Sequence, residues 1–415
     1  MKKLLQAAII FLLLCNIRVS AQMVADSVSI QSGYTNQAFY NMQNGTVSSV
    51  SNQDWDLGFQ LRGFAASIII NSKNGVHLYK SSKDVSHWGM MSPSDTTGLL
   101  NYSNELFNSD SSWDVGAFNT TMDTSQQFDL GWGLYDPTSH YVWGDSLYFI
   151  KLPTGDYKIL MVEVLKNGAY YFRTSNLDNS GEVQDTLTKS NFMGKYFAYF
   201  SILNNNAIDR EPMYNAWDLV FTQYLTLDIN YIVTGVLSND SVNVARAYPV
   251  DINTVGANDF PYRSNINAIG YNWKTFTGTS YLIEDSLVYF VEAKNHTVWK
   301  MIFTGFGGSS NGTYYFNKEA VGIAGVHNPG VPAIIHAFPN PADGKVQLVI
   351  SSNHFNEVNY RIINLLGEVI KQAPLEIQQG LNIVSVPTSD LNNGIYFLSI
   401  GNNNHFSTEK IVIQH

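Results

Sequence analysis

Four sequence blocks occur twice in the same order, and this internal repeat constrains the fold of the chain more than any other feature. The first block, Trp55-Asp56-Leu57-Gly58-Phe59, recurs as Trp217-Asp218-Leu219-Val220-Phe221. The other three blocks pair residues 145–150 with 285–291, residues 158–161 with 300–303, and residues 168–172 with 312–316. Repeats of this kind indicate duplicated structural units. We therefore expect one copy over residues 26–180 and a second over residues 190–322, with an insertion in the first copy inside residues 76–135.

Short runs of β-branched and aromatic residues, bounded by Asn, Gly, Ser or Asp, predict strands in both copies. The clearest runs are residues 67–70, 147–150, 158–162, 170–172 and 287–291. No long stretch keeps the period of about 3.6 residues that an amphipathic helix requires. The sequence therefore predicts an all-β protein with two tandem related β-rich domains, a linker over residues 323–336 and a small Ig-like β-sandwich over residues 338–415.

The N-terminus has the pattern of a secretory signal peptide. Two lysines precede an apolar run from Leu4 to Leu14, and Val19-Ser20-Ala21 supplies small residues for a signal peptidase. We therefore expect residues 1–21 to be removed. The run is shorter than the roughly 20 residues that span a bilayer, and no later segment is apolar enough, so we expect no transmembrane segment. Cys15 is the single cysteine and lies in the signal, where the bulky residues before it make lipid attachment the weaker alternative.

Composition narrows the class of function. The net charge of −10 and the pI near 5.3 argue against nucleic-acid binding, which relies on clustered Lys and Arg. Charged residues make up 14% of the chain against a usual value of about 25%, which suits a secreted all-β protein. Motifs for serine hydrolases, zinc proteases and phosphate-binding loops are lacking, so we expect no catalytic residues, no metal site and no enzyme. Two facing carboxylates for glycoside hydrolysis stay open as an alternative, since sequence spacing does not show their separation in space.

The C-terminal region carries four landmarks in a fixed order. They are Phe338-Pro339-Asn340-Pro341-Ala342, Asn364-Leu365-Leu366-Gly367-Glu368-Val369, Leu391-Asn392-Asn393-Gly394-Ile395-Tyr396 and Glu409-Lys410-Ile411-Val412-Ile413. Residues 338–415 thereby resemble the type A C-terminal sorting domain of the type IX secretion system. The resemblance implies a Bacteroidota-type bacterium, a secreted or outer-surface location, and the type IX machinery and its sortase as partners. A generic Ig-like adhesion module is the alternative.

The repeat region resembles a second family. The repeated Trp-Asp-Leu-x-Phe, the later Asp-Ser-Leu and the Tyr-Tyr-Phe strand make residues 30–320 similar to two copies of the HmuY family of secreted haem-binding proteins. The resemblance implies haem held by axial His or Met side chains. We take His140, just ahead of the strand at Asp145, as the first candidate ligand, and His87 with neighbouring Met90 or Met91 as the second; His77 is a weaker candidate. Copy two has Ser280 or Tyr281 near the position of His140, so a single copy would bind haem.

Plainer interpretations accompany each of these residues. A loop His is more often a surface residue than a ligand, and a Met is more often core filler. The repeated Trp55 and Trp217 predict the cores of two equivalent units. The segment from Asn108 to Asp114 could supply oxygen ligands to Ca²⁺, although it lacks the full loop pattern. The preferred hypothesis is a non-catalytic binding protein with haem as its ligand; the alternatives are a surface adhesin without a small ligand and a glycan-binding or glycan-hydrolysing protein.

Overall fold

The computed structural model of the chain describes residues 23–126, 128–323, 333–352, 356–365, 367–378, 380–402 and 405–415. The predicted signal peptide, residues 1–21, and most of the predicted linker lie outside the described residues. The described part is almost entirely β-structure, which confirms the predicted fold class. Its α-helix is α1, Gly308–Asn311, and its 3-10 turns are Ser32–Tyr34, Ser72–Asn74, Val85–His87, Pro93–Thr96, Tyr102–Asn104, Ala117–Asn119, Lys189–Phe192 and Tyr214–Ala216. Across these described ranges, no helix has the length and apolar character needed to cross a membrane.

The repeat region is built from strands β1 to β24. The first twelve are β1 Val24–Ser29, β2 Asn36–Asn41, β3 Gly45–Ser51, β4 Leu57–Gln60, β5 Ile68–Ile70, β6 His77–Asp84, β7 Glu105–Leu106, β8 Gly133–Asp136, β9 Tyr141–Gly144, β10 Ser146–Lys151, β11 Tyr157–Lys166 and β12 Ala169–Asn176. The next twelve are β13 Val183–Thr188, β14 Phe197–Ser201, β15 Asn206–Ile208, β16 Leu219–Thr226, β17 Tyr231–Ser238, β18 Asn243–Ala247, β19 Tyr262–Arg263, β20 Lys274–Phe276, β21 Tyr281–Ile283, β22 Val288–Glu292, β23 Thr297–Phe306 and β24 Thr313–Ile323. The repeated blocks lie on β4 and β16, β10 and β22, β11 and β23, and β12 and β24.

These strands form two sandwiches, each with its own core. In the first unit, a sheet of order β13-β12-β11-β10-β6-β7, with β8 and β9 attached, faces a four-stranded sheet of order β15-β14-β4-β5. In the second unit, a sheet of order β1-β24-β23-β22-β18-β19 faces a four-stranded sheet of order β17-β16-β2-β3. The fully buried Trp132 lies in the first core and the fully buried Trp273 in the second, which gives the two units equivalent centres.

The strands that begin each copy have changed places between the two units. β1 pairs with β24 and β2 pairs with β16, so residues 24–51 complete the second unit. Reciprocally, β13 pairs with β12 and β14 pairs with β4, so residues 183–208 complete the first unit. The two segments are equivalent, because Asp26 pairs with Phe316 while Asp185 pairs with Phe172, the matching residue of the other copy.

The exchange separates the structural units from the boundaries that the repeat predicted. The unit of the first core runs from β4 to β15 as one continuous segment, and it is inserted between β3 and β16 of the second unit. The sequence segments 26–180 and 190–322 therefore do not coincide with the groups of strands that share a core. Sequence similarity identifies which strands are equivalent, but equivalent strands compete for the same place in either sheet.

The C-terminal region folds into a third sandwich. Its strands are β25 Ala333–Phe338, β26 Lys345–Ser352, β27 Asn356–Ile363, β28 Val369–Ile377, β29 Gly380–Pro387, β30 Gly394–Asn402 and β31 His405–Ile413. A sheet of order β25-β26-β29 packs on one of order β28-β27-β30-β31 around a buried aliphatic core. Residues 333–336 belong to β25, so the predicted linker over residues 323–336 ends earlier than the sequence indicated.

Candidate functional site

The repeated Trp-Asp motif lies where the chain passes between the two units. A carboxylate oxygen of Asp56 accepts the backbone N–H groups of Ile202 at 2.7 Å and Leu203 at 3.3 Å, in the turn after β14. In the second copy, Asp218 accepts the backbone N–H of Met42, in the turn after β2, at 2.8 Å. Burial raises the pKa of both carboxyl groups above the usual value. The Asp of each motif therefore binds, through hydrogen bonds, a hairpin that comes from the other copy.

Two asparagines bind the connecting segments that lead into Asp56 and Asp218. Asn71 follows β5 and donates its side-chain amide to the carbonyls of Asn52 at 3.0 Å and Trp55 at 2.9 Å. Asn239 follows β17 and donates to the carbonyls of Tyr214 at 3.1 Å and Trp217 at 3.0 Å. The same amide contact thus fixes the backbone just before each repeated Asp.

The two connecting segments contact each other through Arg210, which is buried, as is the neighbouring Glu211. The Arg210 guanidinium donates to the carbonyl of Ser51 and lies 3.5 Å from the Asp54 carboxylate on the other connecting segment. Glu211 accepts the backbone N–H groups of Tyr196 at 3.1 Å and Phe197 at 3.2 Å. Burial raises the pKa of the Glu211 carboxyl to about 7. A buried acid that titrates near neutral pH therefore lies at the junction of the two units.

A cleft opens beside this junction, between the outward faces of the two four-stranded sheets. It contains about 860 Å³ of empty space, including the part open to solvent. The aromatic side chains of its walls come from both sheets and from the segments joining them: Phe39, Trp55, Trp113, Tyr196, Phe197, Tyr199, Trp217 and Tyr224. Trp55 and Trp217 are buried as predicted, but they lie in these outward-facing clusters and outside the two main cores.

The two repeated tryptophans differ at the indole nitrogen. Trp55 Nε1 donates to the Asn52 side chain at 2.9 Å. Trp217 Nε1 is buried and has no acceptor within the part of the chain that the structure describes. The residue three positions before Trp217 is Tyr214, whose hydroxyl contacts the Ser241 hydroxyl and not the Trp217 indole. An unpaired buried N–H costs about 1–3 kcal/mol, so an acceptor that reached it would bind favourably.

The segment from Asn108 to Asp114 crosses the cleft as a strap, inside the insertion predicted for copy one. Trp113 Nε1 donates to the carbonyl of Ser238 at 2.9 Å in the second unit, while Asp114 accepts from Gln60 at 2.6 Å in the first. The Asn108 side chain accepts the backbone N–H groups of Ile70 and Ala117. The oxygens that the sequence offered as Ca²⁺ ligands are thus largely used within the fold, and the strap joins the two units.

A polar hollow adjoins the aromatic cleft and shares Asp110 and Tyr224 with it. Its remaining lining is Thr226, Asp228, Asn267, Gly270, Tyr271 and Asn272. The Thr226 hydroxyl lies 3.0 Å from an Asp110 carboxylate oxygen and 2.6 Å from an Asp228 oxygen, and the Tyr271 hydroxyl donates to Asp228 at 2.9 Å. The pKa of Asp228 is lowered by the hydrogen bond from Thr226. Asp110 lies in the segment that the sequence offered as a Ca²⁺ site, but sequence patterns did not reveal this hollow, because its other lining residues come from two separate segments within residues 224–228 and 267–272.

The predicted haem ligands lie elsewhere on the first unit. His140 is exposed at the tip of the β8–β9 hairpin, where its Nδ1 lies 2.7 Å from the Tyr135 hydroxyl. His87 contacts Asp84 at 3.1 Å, and Met90 is 63% exposed. Asp84 pairs with Ser146. His140 precedes Tyr141, which lies five residues before Ser146 in the sequence. At about 3.3 Å per residue, that length of strand places Tyr141, and His140 beside it, roughly 17 Å from the position of Asp84 and His87.

The remaining candidates have internal roles. Met91 is buried against the outer face of β10 and β11, and His77 pairs with Glu105 at 2.6 Å. Within the described ranges, no three His, Cys, Asp or Glu side chains gather closely enough to hold a metal ion. The structure therefore does not bring His87, Met90 and His140 to one point, and none of them lines the aromatic cleft.

Comparison with known proteins identifies the third sandwich. Residues 336–414 match the family model of the secretion system C-terminal sorting domain. No curated protein matches the chain. Among solved structures, dimeric latent PorU from Porphyromonas gingivalis is similar at 11% identity and a TM-score of 0.19, over 66% of this chain and 26% of that one. The match spans about a quarter of that protein. The chain thus ends in a sorting domain of the type IX secretion system, which directs secretion through that machinery and attachment to the outer cell surface.

Proposed function

We propose that the chain is a non-catalytic binding protein of the outer cell surface and that the aromatic cleft between its two units is the ligand site. The observation that carries this proposal is the composition of the cleft, whose aromatic walls come from both units and adjoin a polar hollow. Small-molecule sites are typically concave and mostly apolar, with a few polar groups that fix orientation. Duplication with exchanged strands creates such a concavity, because it brings the outward faces of two related sheets together.

The Asp228 carboxylate beside the cleft is better suited to accepting hydrogen bonds than to donating a proton. Asp110 and Asp228 both contact the Thr226 hydroxyl, so their nearest oxygens lie close together, as a glycosidase pair would require. Such a pair also needs one carboxyl whose pKa is raised, so that it can donate a proton. The pKa of Asp228 is instead lowered, with the Thr226 hydroxyl as the main cause. Asp228 therefore suits a hydrogen-bond acceptor better than a general acid.

The test is a titration of the mature chain, residues 22–415, followed by intrinsic tryptophan fluorescence. The probes are haemin, neutral oligosaccharides and anionic oligosaccharides. We expect one class to give saturable quenching that weakens at least tenfold in Trp217→Phe and in Trp113→Ala. Trp143→Phe is the matched control, because Trp143 is exposed on β9 and does not line the cleft. Saturable binding that ignores the cleft variants would refute the site, and no binding by any class would favour an adhesin.

Haem is a second candidate ligand, and the surroundings of His140 favour it. The Tyr135 hydroxyl engages Nδ1 of His140, which orients the ring and leaves Nε2 for iron. Phe64 and Phe128 pack against Tyr135 with centroid distances of 5.0 and 5.7 Å, an apolar surface that suits a porphyrin. The resemblance of residues 30–320 to the HmuY family points the same way.

Absorbance spectroscopy distinguishes this candidate. Haemin added to the mature chain is expected to give a Soret band that shifts or disappears in His140→Ala. His296→Ala is the matched control, because His296 also has a positive φ, of 62°, in a turn of the second copy. A spectrum identical to that of free haemin would discard haem binding.

Sortase processing is the further expectation from the C-terminal resemblance. We propose that the sortase of the type IX system recognises residues 338–415 and removes them when the chain reaches the surface. Intact-mass measurement of the surface-attached protein is expected to show a chain that ends before β26. A mass that includes β31 would contradict processing while leaving export itself unaffected.

A further inference from the structure

We propose that the polar hollow, together with the adjoining edge of the aromatic cleft, binds the end of a neutral glycan chain. This inference rests on the proposed function, since it names the ligand class of the same site. It begins from the lining of the hollow, which consists of Asp, Asn, Thr, Tyr and Gly residues without Lys, Arg or His. Such a surface offers acceptors and amide groups to hydroxyl-bearing ligands, and it repels anions.

The hydrogen bonds inside the hollow leave acceptors in need of donors. The Thr226 hydroxyl has one proton, yet it lies within hydrogen-bond distance of both Asp110 and Asp228. The shorter contact, 2.6 Å, is with Asp228. Asp110 then relies on the Leu227 backbone N–H, at 3.2 Å from the same carboxylate oxygen. Asp228 also accepts the Ile229 N–H and the Tyr271 hydroxyl, each at 2.9 Å, which together with the Thr226 hydroxyl fills three of the about four lone-pair sites of a carboxylate. Sugar hydroxyls would supply donors to the remaining site of Asp228 and to Asp110.

The wall between hollow and cleft supplies a flat apolar face. Tyr224 and Trp113 are only partly buried there, in contrast to Trp55 and Trp217. An aromatic ring face is electron-rich, so it attracts the C–H face of a sugar ring. Burial raises the pKa of the Tyr224 hydroxyl, which keeps it neutral and able to donate. One residue thus presents a stacking face and a polar tip at the boundary between the two spaces.

Two glycines fix the position of Tyr224. A Cβ atom on Gly235 would lie 2.7 Å from the carbonyl oxygen of Gly270 and 2.9 Å from the Tyr224 ring. Strand β17 therefore approaches the hollow as closely as a backbone can, and Tyr224 occupies the space that a side chain would take. This close approach gives the stacking residue a defined place before any ligand binds, which lowers the entropic cost of binding.

The charge around the cleft argues against an anionic ligand in the hollow. Lys73 is the one Lys or Arg among the residues lining the cleft, and burial lowers its pKa. It does not line the hollow, where Asp110 and Asp228 dominate the field. Sulfated or uronic-acid sugars would therefore meet two carboxylates at close range, whereas neutral hexose or N-acetylhexosamine units would not.

Isothermal titration calorimetry of the mature chain tests the proposal. The probes are neutral tetrasaccharides of glucose, mannose and N-acetylglucosamine, with a sulfated tetrasaccharide and haemin for comparison. We expect saturable binding of at least one neutral probe, with affinity at least tenfold lower in Asp228→Ala and Tyr224→Ala. Asp178→Ala is the matched control, because Asp178 also accepts from a neighbouring hydroxyl, that of Ser180, on an exposed turn of the first unit. Thermal unfolding of each variant confirms that it folds.

The outcomes separate this inference from the function on which it rests. Binding of haemin or of the sulfated probe that weakens in Trp217→Phe, with no neutral tetrasaccharide bound, would overturn the glycan proposal while leaving a ligand site in the cleft. Neutral binding that is equal in Asp228→Ala, Tyr224→Ala and the control would also overturn it. Absence of binding by every probe would overturn both proposals.

Discussion

Asp56 and Asp218 occupy equivalent positions in the two copies, and each carboxylate accepts backbone N–H groups from a hairpin turn that the other copy contributes. The motif that makes the repeat visible in the sequence is therefore also the contact that holds the exchanged hairpins. Its hydrophobic residues have a separate task, since Leu57 and Phe59 enter the first core and Leu219 and Phe221 enter the second. One short motif thus joins a sheet to a core and to a strand from elsewhere in the chain.

Substitution of Asp by Asn is expected to destabilise the chain more at Asp218 than at Asp56. Asp218 uses both oxygens, one for the Met42 N–H and one for the Lys294 N–H at 3.1 Å. Asp218→Asn turns one acceptor into a donor that faces an N–H group, at a cost of about 2 kcal/mol. Asp56 places its backbone contacts on one oxygen, which an amide can retain, so Asp56→Asn should cost under about 1 kcal/mol. Urea unfolding of both variants measures the difference; equal costs would contradict the assignment.

The exchange predicts which fragments fold. Residues 52–212 contain every strand from β4 to β15 and therefore the complete first core, so this fragment should unfold cooperatively. Residues 26–180 follow the sequence repeat but lack β13–β15, and they carry β1 and β2 without β24 and β16, with which these strands pair. We expect that fragment to aggregate or to lack a cooperative transition, because it exposes unpaired sheet edges. Circular dichroism melting of the two fragments compares them directly, and the reverse behaviour would refute the exchange.

Glu211 predicts a pH dependence of stability. Its folded-state pKa, about 7, lies above its ordinary value of 4.5, so the folded chain binds a proton more tightly than the unfolded chain. Stability should therefore fall as pH rises from 5 to 7, on the order of 2 kcal/mol from this group. The comparison stops at pH 7, because burial lowers the pKa of Lys274 to about 7. Above that pH the unfolded chain binds the Lys274 proton more tightly than the folded chain, so this group makes stability rise with pH.

Glu211→Gln isolates that contribution, since it keeps the shape of the side chain and removes the titration. Urea unfolding at pH 5 and pH 7 should show a smaller difference in the variant than in the natural chain. The neighbouring Arg210 remains in both proteins, so its charge does not explain a change. An unchanged pH dependence in the variant would assign the effect to other groups.

The first strand is expected to depend on a single buried ammonium. Lys318 Nζ on β24 lies 3.0 Å from the Asp26 carboxylate on β1 and donates to the carbonyl of Met42 at 2.8 Å. Lys318→Met leaves Asp26 without its cation and should cost about 2–3 kcal/mol. Hydrogen exchange should accelerate most in β1. Lys371→Met is the control, because that lysine pairs with Asp390 in the third sandwich; equal acceleration in β1 there would contradict the anchoring role.

Trp113 is expected to hold the two units in one arrangement. Its ring belongs to the aromatic clusters on both sides of the cleft, and its indole N–H reaches Ser238. Trp113→Ala should leave both cores folded while hydrogen exchange increases in residues 108–116. Trp143→Ala, on the exposed face of β9, should leave that segment unchanged. Small-angle scattering that shows the same shape for natural chain and variant, with unchanged exchange, would argue against the strap.

The sequence predicted the strand content and the duplication because both are local properties. Register is less local. The aligned sequence blocks match Phe149 with Tyr289. In the structure, however, Tyr148 and Tyr289 are the residues buried in the equivalent cores. Their hydroxyls donate to the carbonyls of Gly131 at 3.3 Å and Ile269 at 3.0 Å. An irregularity between Ser146 and Tyr148 shifts one copy by a residue. A one-residue shift changes the face on which every later side chain lies.

The candidate site was beyond the reach of sequence patterns for a related reason. Asp110 lies on the strap, Asp228 lies on a hairpin of the second copy, and their proximity depends on how the two units pack. The third sandwich shows a smaller instance. Pro374 argues against a strand when the sequence alone is considered, but β28 lies at the edge of its sheet, where proline is tolerated. Properties set by packing between distant segments thus stayed hidden, whereas the repeated Trp217 of the cleft wall was visible.

Because the first unit is inserted in the sequence of the second, the strands of the two units become available in a fixed order during synthesis. During synthesis β1–β3 emerge first, but their partners β16 and β24 follow only after the whole first unit has been made. The inner unit can close once residue 208 is available, while β2 must wait for β16, which ends at Thr226, and β1 must wait for β24, which ends at Ile323. The repeat region therefore folds from the inner unit outward, and β1 and β24 pair just before the sorting domain is completed.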